Sequence, residues 1–101
     1  MEYTDLVAAI RECVERVSVR FADRGWSTAR HLLDVAEIHE AMDVLVATLV
    51  RNNIPISPAE REWVATLMNG LELTPDDRIL YPYLGDAEML DRMTVVDEPS
   101  A

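Results

Sequence analysis

Apolar residues recur in the first stretch of the chain at Leu6, Ile10, Cys13, Val14, Val17 and Phe21, the spacing of one helix face. Thr4 stands where a cap would open this helix, and Gly25 where a left-handed residue would close it. Arg11, Glu12, Glu15 and Arg16 fall on the opposite, wet side, where the pairs Arg11–Glu15 and Glu12–Arg16 add modest support. Trp26 then leads into Ser27-Thr28, a second start signal, followed by a short helix through His31, Leu32, Leu33 and Val35. Its junction with the next helix, near Asp34 to Glu37, admits either two helices or one bent element. Beyond it, Ile38, Met42, Leu45 and Leu49 share a face flanked by Ala41, Val46 and Val50, with Glu37, Glu40 and Asp43 away from the stripe's centre.

The polar stretch NNIPISPAERE, residues 52–62, interrupts this periodicity. Asn52 and Asn53 tolerate left-handed geometry and stop the helix. Pro55 and Pro58 push Ile54 and Ser57 into extended conformation. Ser57 is then an N-cap, Pro58 the first helical residue, and Glu60 the third, which completes a capping box. Arg61 occupies the position a hydrophobic staple would need, so Ile54 and Ile56 are expected to plug the end of the core instead. The helix from 58 to 69 presents Trp63, Val64, Leu67 and Met68 and stops at Gly70, with Leu71 and Leu73 covering its end. Thr74-Pro75-Asp76-Asp77 opens a short helix through Leu80 by the same cap-then-proline logic, and Tyr81-Pro82-Tyr83 breaks it. Asp86 caps a last short helix carrying Met89, Leu90 and Met93; from Thr94 the chain is expected to fray.

These elements predict an all-α, single-domain bundle of five or six helices, two or more of them short, over residues 1–93, with a tail at 94–101. The 101-residue length allows one core, and 50% apolar residues make it globular rather than disordered. No apolar run approaches the length of a membrane helix. The opening MEYTDL lacks the basic and apolar regions of a secretory signal, which predicts a cytoplasmic protein.

Charge changes the picture more. The chain has nine arginines, no lysine and nineteen acids. Residues 1–30 hold five acids and five arginines, so the net charge of −10 lies wholly in residues 31–101, with fourteen acids and four arginines. Such a field repels phosphates and argues against nucleic-acid binding. It suits a basic partner and speeds association with one, although net charge also simply keeps small proteins soluble.

Catalytic constellations are absent from the sequence: no Gly-rich phosphate loop, no Gly-x-Ser-x-Gly, no Cys-x-x-Cys and no Asp-Ser-Leu carrier site. Cys13, His31 and His39 match no zinc spacing. His39 and Asp43, four apart, have the geometry of an oriented base, but a surface pair is the commoner outcome. Asp76-Asp77 reads as helix N-terminal charge rather than a cation site. Cys13, the single cysteine, falls on an apolar face and reads as a small buried hydrophobe. No enzyme activity, cofactor or metal is expected.

Tyr81-Pro82-Tyr83-Leu84 is the segment that core needs explain least. Two tyrosines across a proline, beside Asp76, Asp77, Asp86 and Glu88, either cap the bundle's end or form an aromatic patch with an acidic rim for a basic protein partner.

Residues 32–73 also resemble MafI-type immunity proteins of bacterial polymorphic toxin systems. Those proteins show a Leu-Leu…Gly-Glu…Ala-Leu helix pair, an Ile-Pro-Ile-Ser crossover and a further amphipathic helix. Leu32-Leu33, Glu37, Ala41-Met42 and Ile54-Pro55-Ile56-Ser57 stand at the matching places, and Ala36 replaces the usual glycine. Most of these positions are structural. In size and acidity the chain is similar to immunity proteins of contact-dependent growth inhibition systems. The resemblance implies an antidote that binds the C-terminal effector domain of a cognate toxin. Such domains are often nucleases with basic clefts, which an acidic inhibitor would occlude. The partner-binding residues expected on this reading are Glu37, Glu40 and Asp43 on one helix, or Asp76, Asp77, Asp86 and Glu88 with Tyr81 and Tyr83. The alternative is a self-assembling structural or regulatory subunit, a homo-oligomer whose apolar surface comes from Trp26, Trp63 and the five methionines.

Overall fold

The computed structural model describes residues 2–20 and 24–99. Met1, Phe21, Ser100 and Ala101, all covered by expectations above, lie outside the described residues. Five α-helices follow one another: α1 Tyr3–Ser18, α2 Arg24–Asp34, α3 Ile38–Arg51, α4 Pro58–Gly70 and α5 Pro75–Leu80. A 3-10 turn at Ala87–Leu90 comes last, and no strand occurs among the described residues. The expected all-α bundle is what forms.

The helix faces read from periodicity are the ones that pack. Leu6, Ile10, Cys13, Val14 and Val17 of α1 are buried, as are Ile38, Ala41, Met42, Leu45, Val46 and Leu49 of α3. Helix α3 packs chiefly on α2, and α1 meets α2, α3 and α4. Trp26, Met42, Met68, Met89 and Met93 are buried, and Trp63 is partly buried against the same core. The apolar surface expected for self-assembly is therefore largely consumed by the fold.

The helix ends correct several expectations. Helix α1 starts at Tyr3, so Thr4 lies inside its first turn, and Glu2 precedes it without a side-chain cap bond. Gly25, Ser27 and Thr28 lie within α2 rather than between two helices. Helices α2 and α3 are distinct. At the end of α2, Ala36 takes φ 63°, while Glu37 N–H donates to Leu32 O (2.8 Å) and Ala36 N–H to Leu33 O (3.1 Å). These two bonds form a Schellman closure. The same closure ends α3, with Asn53 at φ 49° and bonds from Ile54 to Leu49 (3.2 Å) and from Asn53 to Val50 (3.4 Å).

The crossover after it behaves as read. Ser57 Oγ accepts the Glu60 N–H at 3.1 Å, Glu60 Oε1 accepts the Ser57 N–H at 2.8 Å, and Ile54 and Ile56 are buried. Glu60 does more than cap. Its carboxylate, 2% exposed, accepts Arg16 Nε (2.8 Å) and both Arg20 terminal nitrogens (2.7 Å each), while Arg20 Nη1 also donates to Pro55 O (3.1 Å). The end of α1 is thus riveted to the crossover and the start of α4. Ile56 also holds the tail. Its N–H donates to Thr94 O and its carbonyl accepts the Val96 N–H, each at 2.9 Å, in a parallel bridge to Val95. Thr94 to Val96, expected to fray, are pinned there by backbone bonds.

Candidate partner-binding face

Glu37, Glu40 and Asp43 from one of the carboxylate groups read as alternatives from the sequence, and Asp77 from the other, act on the same ring, Tyr81. Asp43 projects from α3, and its Oδ1 accepts the backbone N–H groups of both Tyr83 and Leu84 at 2.9 Å. Leu84 is buried beneath, which leaves Tyr81 and Tyr83 partly buried at the surface. The rings therefore pack against the end of the bundle and remain partly accessible. Gly85 permits the fold-back, since a Cβ there would lie 3.1 Å from Arg78 Cα and 3.3 Å from Tyr81 O.

Tyr81 stacks on His39 of α3, with ring centroids 6.1 Å apart. His39 Nε2 lies 3.0 Å from Glu72 O, an acceptor, so this nitrogen donates. The His39–Asp43 pair considered as an oriented base is thus not made; each residue binds backbone elsewhere. The Tyr81 phenol is pushed above its ordinary range by burial first, then by the fields of Glu40, Glu37, Asp77 and Asp43. Four carboxylates from α3 and its cap and from α5 therefore act on one ring.

Asp77 completes a capping box with Thr74: Asp77 Oδ2 accepts the Thr74 N–H at 2.9 Å, and Thr74 Oγ1 accepts the Asp77 N–H at 3.1 Å. The Thr74 N–H holds the Asp77 carboxyl below the usual range against the opposing effect of desolvation, and the Thr74 side chain and then His39 add to the lowering. Asp86 is similarly engaged, accepting the Glu88 N–H at 2.9 Å to open the 3-10 turn. Glu37, Glu40, Asp76 and Glu88 are exposed. The five ion pairs among the described residues involve none of the nine partner-binding candidates. Those pairs commit Arg11, Arg16, Arg20, Arg30 and Arg61 to Asp34, Glu60, Glu15 and Asp91. Arg78 of α5 turns back, its Nη1 donating to Gly85 O at 3.1 Å.

Two grooves flank the tyrosines. One, of 590 Å³, is lined by residues including Tyr3, Glu37, His39, Glu72, Asp77 and Tyr81. The other, of 540 Å³, lies beside Tyr83 and includes Asp43 and Arg51. Among the described residues no group of three or more His, Cys, Asp or Glu side chains is placed to hold a metal ion. Cys13 is buried, and burial first, then Glu60, pushes its thiol up to about 12, which keeps it protonated.

Sequence reasoning missed Ile79 and Leu80. None of the six residues of α5 is buried, and these two aliphatics are 78% and 65% exposed beside the acids. Two adjacent apolar residues on so short a helix, flanked by acids and a proline, were the available signal.

No family model, curated protein or solved structure matches the chain.

Proposed function

We propose that this chain is an immunity protein that binds and neutralises the C-terminal effector domain of a cognate bacterial toxin. The observation that carries the reading is the set of carboxylates around Tyr81 (Glu37, Glu40 and Asp43 with Asp77), none of which joins an ion pair among the described residues. Unpaired like charges on one face repel one another in the free protein, and a basic surface relieves that repulsion. The partly buried tyrosines beside these carboxylates offer aromatic contact area of the kind enriched at interfaces. The likeness of residues 32–73 to MafI-type proteins supplies the toxin, and a nuclease with a basic cleft fits the sign of the charge. The inhibitor acts in the cytoplasm by filling the cleft and presenting carboxylates where phosphates would lie. No helix among the described residues is long and apolar enough to cross a membrane, and the proposed action needs none.

The test is to express the C-terminal domain encoded by the adjoining reading frame, alone and with this chain, and to follow growth. Titration calorimetry at low and high salt then measures binding. The expected result is toxicity, rescue, and an affinity that falls steeply as salt rises. Glu37→Lys, Glu40→Lys and Asp76→Lys together should abolish rescue with the melting temperature little changed, since these carboxylates hold no structural bond among the described residues. Rescue that survives this triple reversal would discard charge mimicry, and a neighbour that neither kills nor binds would discard the antidote.

A further inference from the structure

We propose that Ile79 and Leu80 are the anchor of this interface, entering an apolar recess on the basic face of the toxin domain while the surrounding carboxylates steer the encounter. The proposal rests on the antidote reading above and adds which residues hold the complex together.

Helix α5 makes no sense as core. A helix of six residues is not stable by its own hydrogen bonds, and none of its residues is buried. Yet it is held firmly. Thr74 and Asp77 cap it reciprocally with Pro75 in the first turn, and Tyr81 N–H closes it on Asp77 O at 2.8 Å. The following turn is folded back onto it at Gly85 and clamped by Asp43. What this scaffolding displays is Ile79, the most exposed large apolar side chain among the described residues, and Leu80 beside it. The other exposed large apolar residues, such as Val19, Val35 and Val95, lie on other segments. A rigid apolar pair loses little freedom on docking, which favours affinity.

The occupant follows from charge. Asp76 and Asp77 precede the pair on α5, and Glu37 and Glu40 lie across Tyr81. A second copy of a chain carrying −10 would bring like charges together, and anionic lipid or nucleic acid would be repelled for the same reason. A folded basic protein surface with an apolar recess meets both the pair and its rim. Arg78, between Asp77 and Ile79, is turned to Gly85 O.

Surface plasmon resonance with the adjoining toxin domain as ligand separates anchor from rim. The Ile79→Ser/Leu80→Ser chain should lose about 30-fold or more in affinity, nearly all through faster dissociation, with the melting temperature unchanged. The Glu37→Lys/Glu40→Lys chain should lose association rate and salt dependence instead. If the serine variant binds within about threefold of the parent, the anchor lies elsewhere and the antidote reading survives. If the parent itself does not bind, both fall. A free parent that sediments as a dimer, made monomeric by the serine changes, would overturn the proposal in favour of self-association.

Discussion

Glu60 shows how much one side chain can carry. Its carboxylate caps α4 and receives Arg16 and Arg20 from α1, and the Arg20 hydrogen bonds, ahead of the Ser57 N–H and Arg16, bring its pKa down to about 2 despite burial. A carboxyl lowered in the fold stabilises fully above its unfolded pKa near 4.5, and that contribution drains away as pH falls toward 2. Urea titrations between pH 5 and pH 2 should therefore show falling stability, the Glu60 share being about 3 kcal/mol. Glu60→Gln should cost at least that much at pH 7, because two arginines lose their counter-charge. A variant with unchanged urea midpoint would refute the assignment. Cys13 gives the complementary expectation: native protein should resist iodoacetamide at pH 8, and urea-unfolded protein should react fully. The capping box was legible from Ser57-Pro58 and Glu60 alone, since a cap is a local device. Its arginine partners were not, because they stand about forty residues earlier in the chain.

At the scale of elements, periodicity identified the buried faces of α1 and α3, while the ends of α1 and α2 were misplaced. Gly25 looked like a helix terminator but sits in the first turn of α2, and the actual left-handed residue closing α2 is Ala36. An alanine carries no signal for that conformation, because its methyl group disfavours it. The Cβ at φ 63° costs roughly 1 kcal/mol. Ala36→Gly should accordingly raise stability by about 0.5 kcal/mol, net of the larger unfolded-chain entropy of glycine, and lift the melting temperature by a few degrees. A lower melting temperature would mean that the turn is not strained. The ion pairs tell the same story about local rules. Arg11 and Glu15 were expected to pair within α1, yet Arg11 meets Asp34 at 2.9 Å and Glu15 meets Arg30, both across the α1–α2 contact. A long side chain chooses among all neighbours, and sequence spacing shows only those on its own helix.

At the scale of the whole molecule, the ion pairs among the described residues gather around α1, α2 and α4, and none of them involves an acid of α3 or α5. Salt should therefore act in opposite directions on two measurements. Screening the self-repulsion of a −10 chain should raise the melting temperature of the free protein, while the same salt weakens the proposed complex. A melting temperature that falls between 20 mM and 500 mM salt would show that the ion pairs outweigh the repulsion. Composition alone predicted the acidity, and the sequence contained both acid groups, but nothing in it showed that Asp43 would join them through the Tyr83 and Leu84 amides. Helix α5 carries the last consequence. Its display residues contribute nothing to the core, and its caps and Gly85 hold it whatever those residues are. On the proposed reading, Ile79, Leu80 and Asp76 are free to change as a toxin changes, with no loss of folding to be compensated elsewhere. Selection can then retarget the antidote by rewriting three side chains on a frame that those changes leave standing.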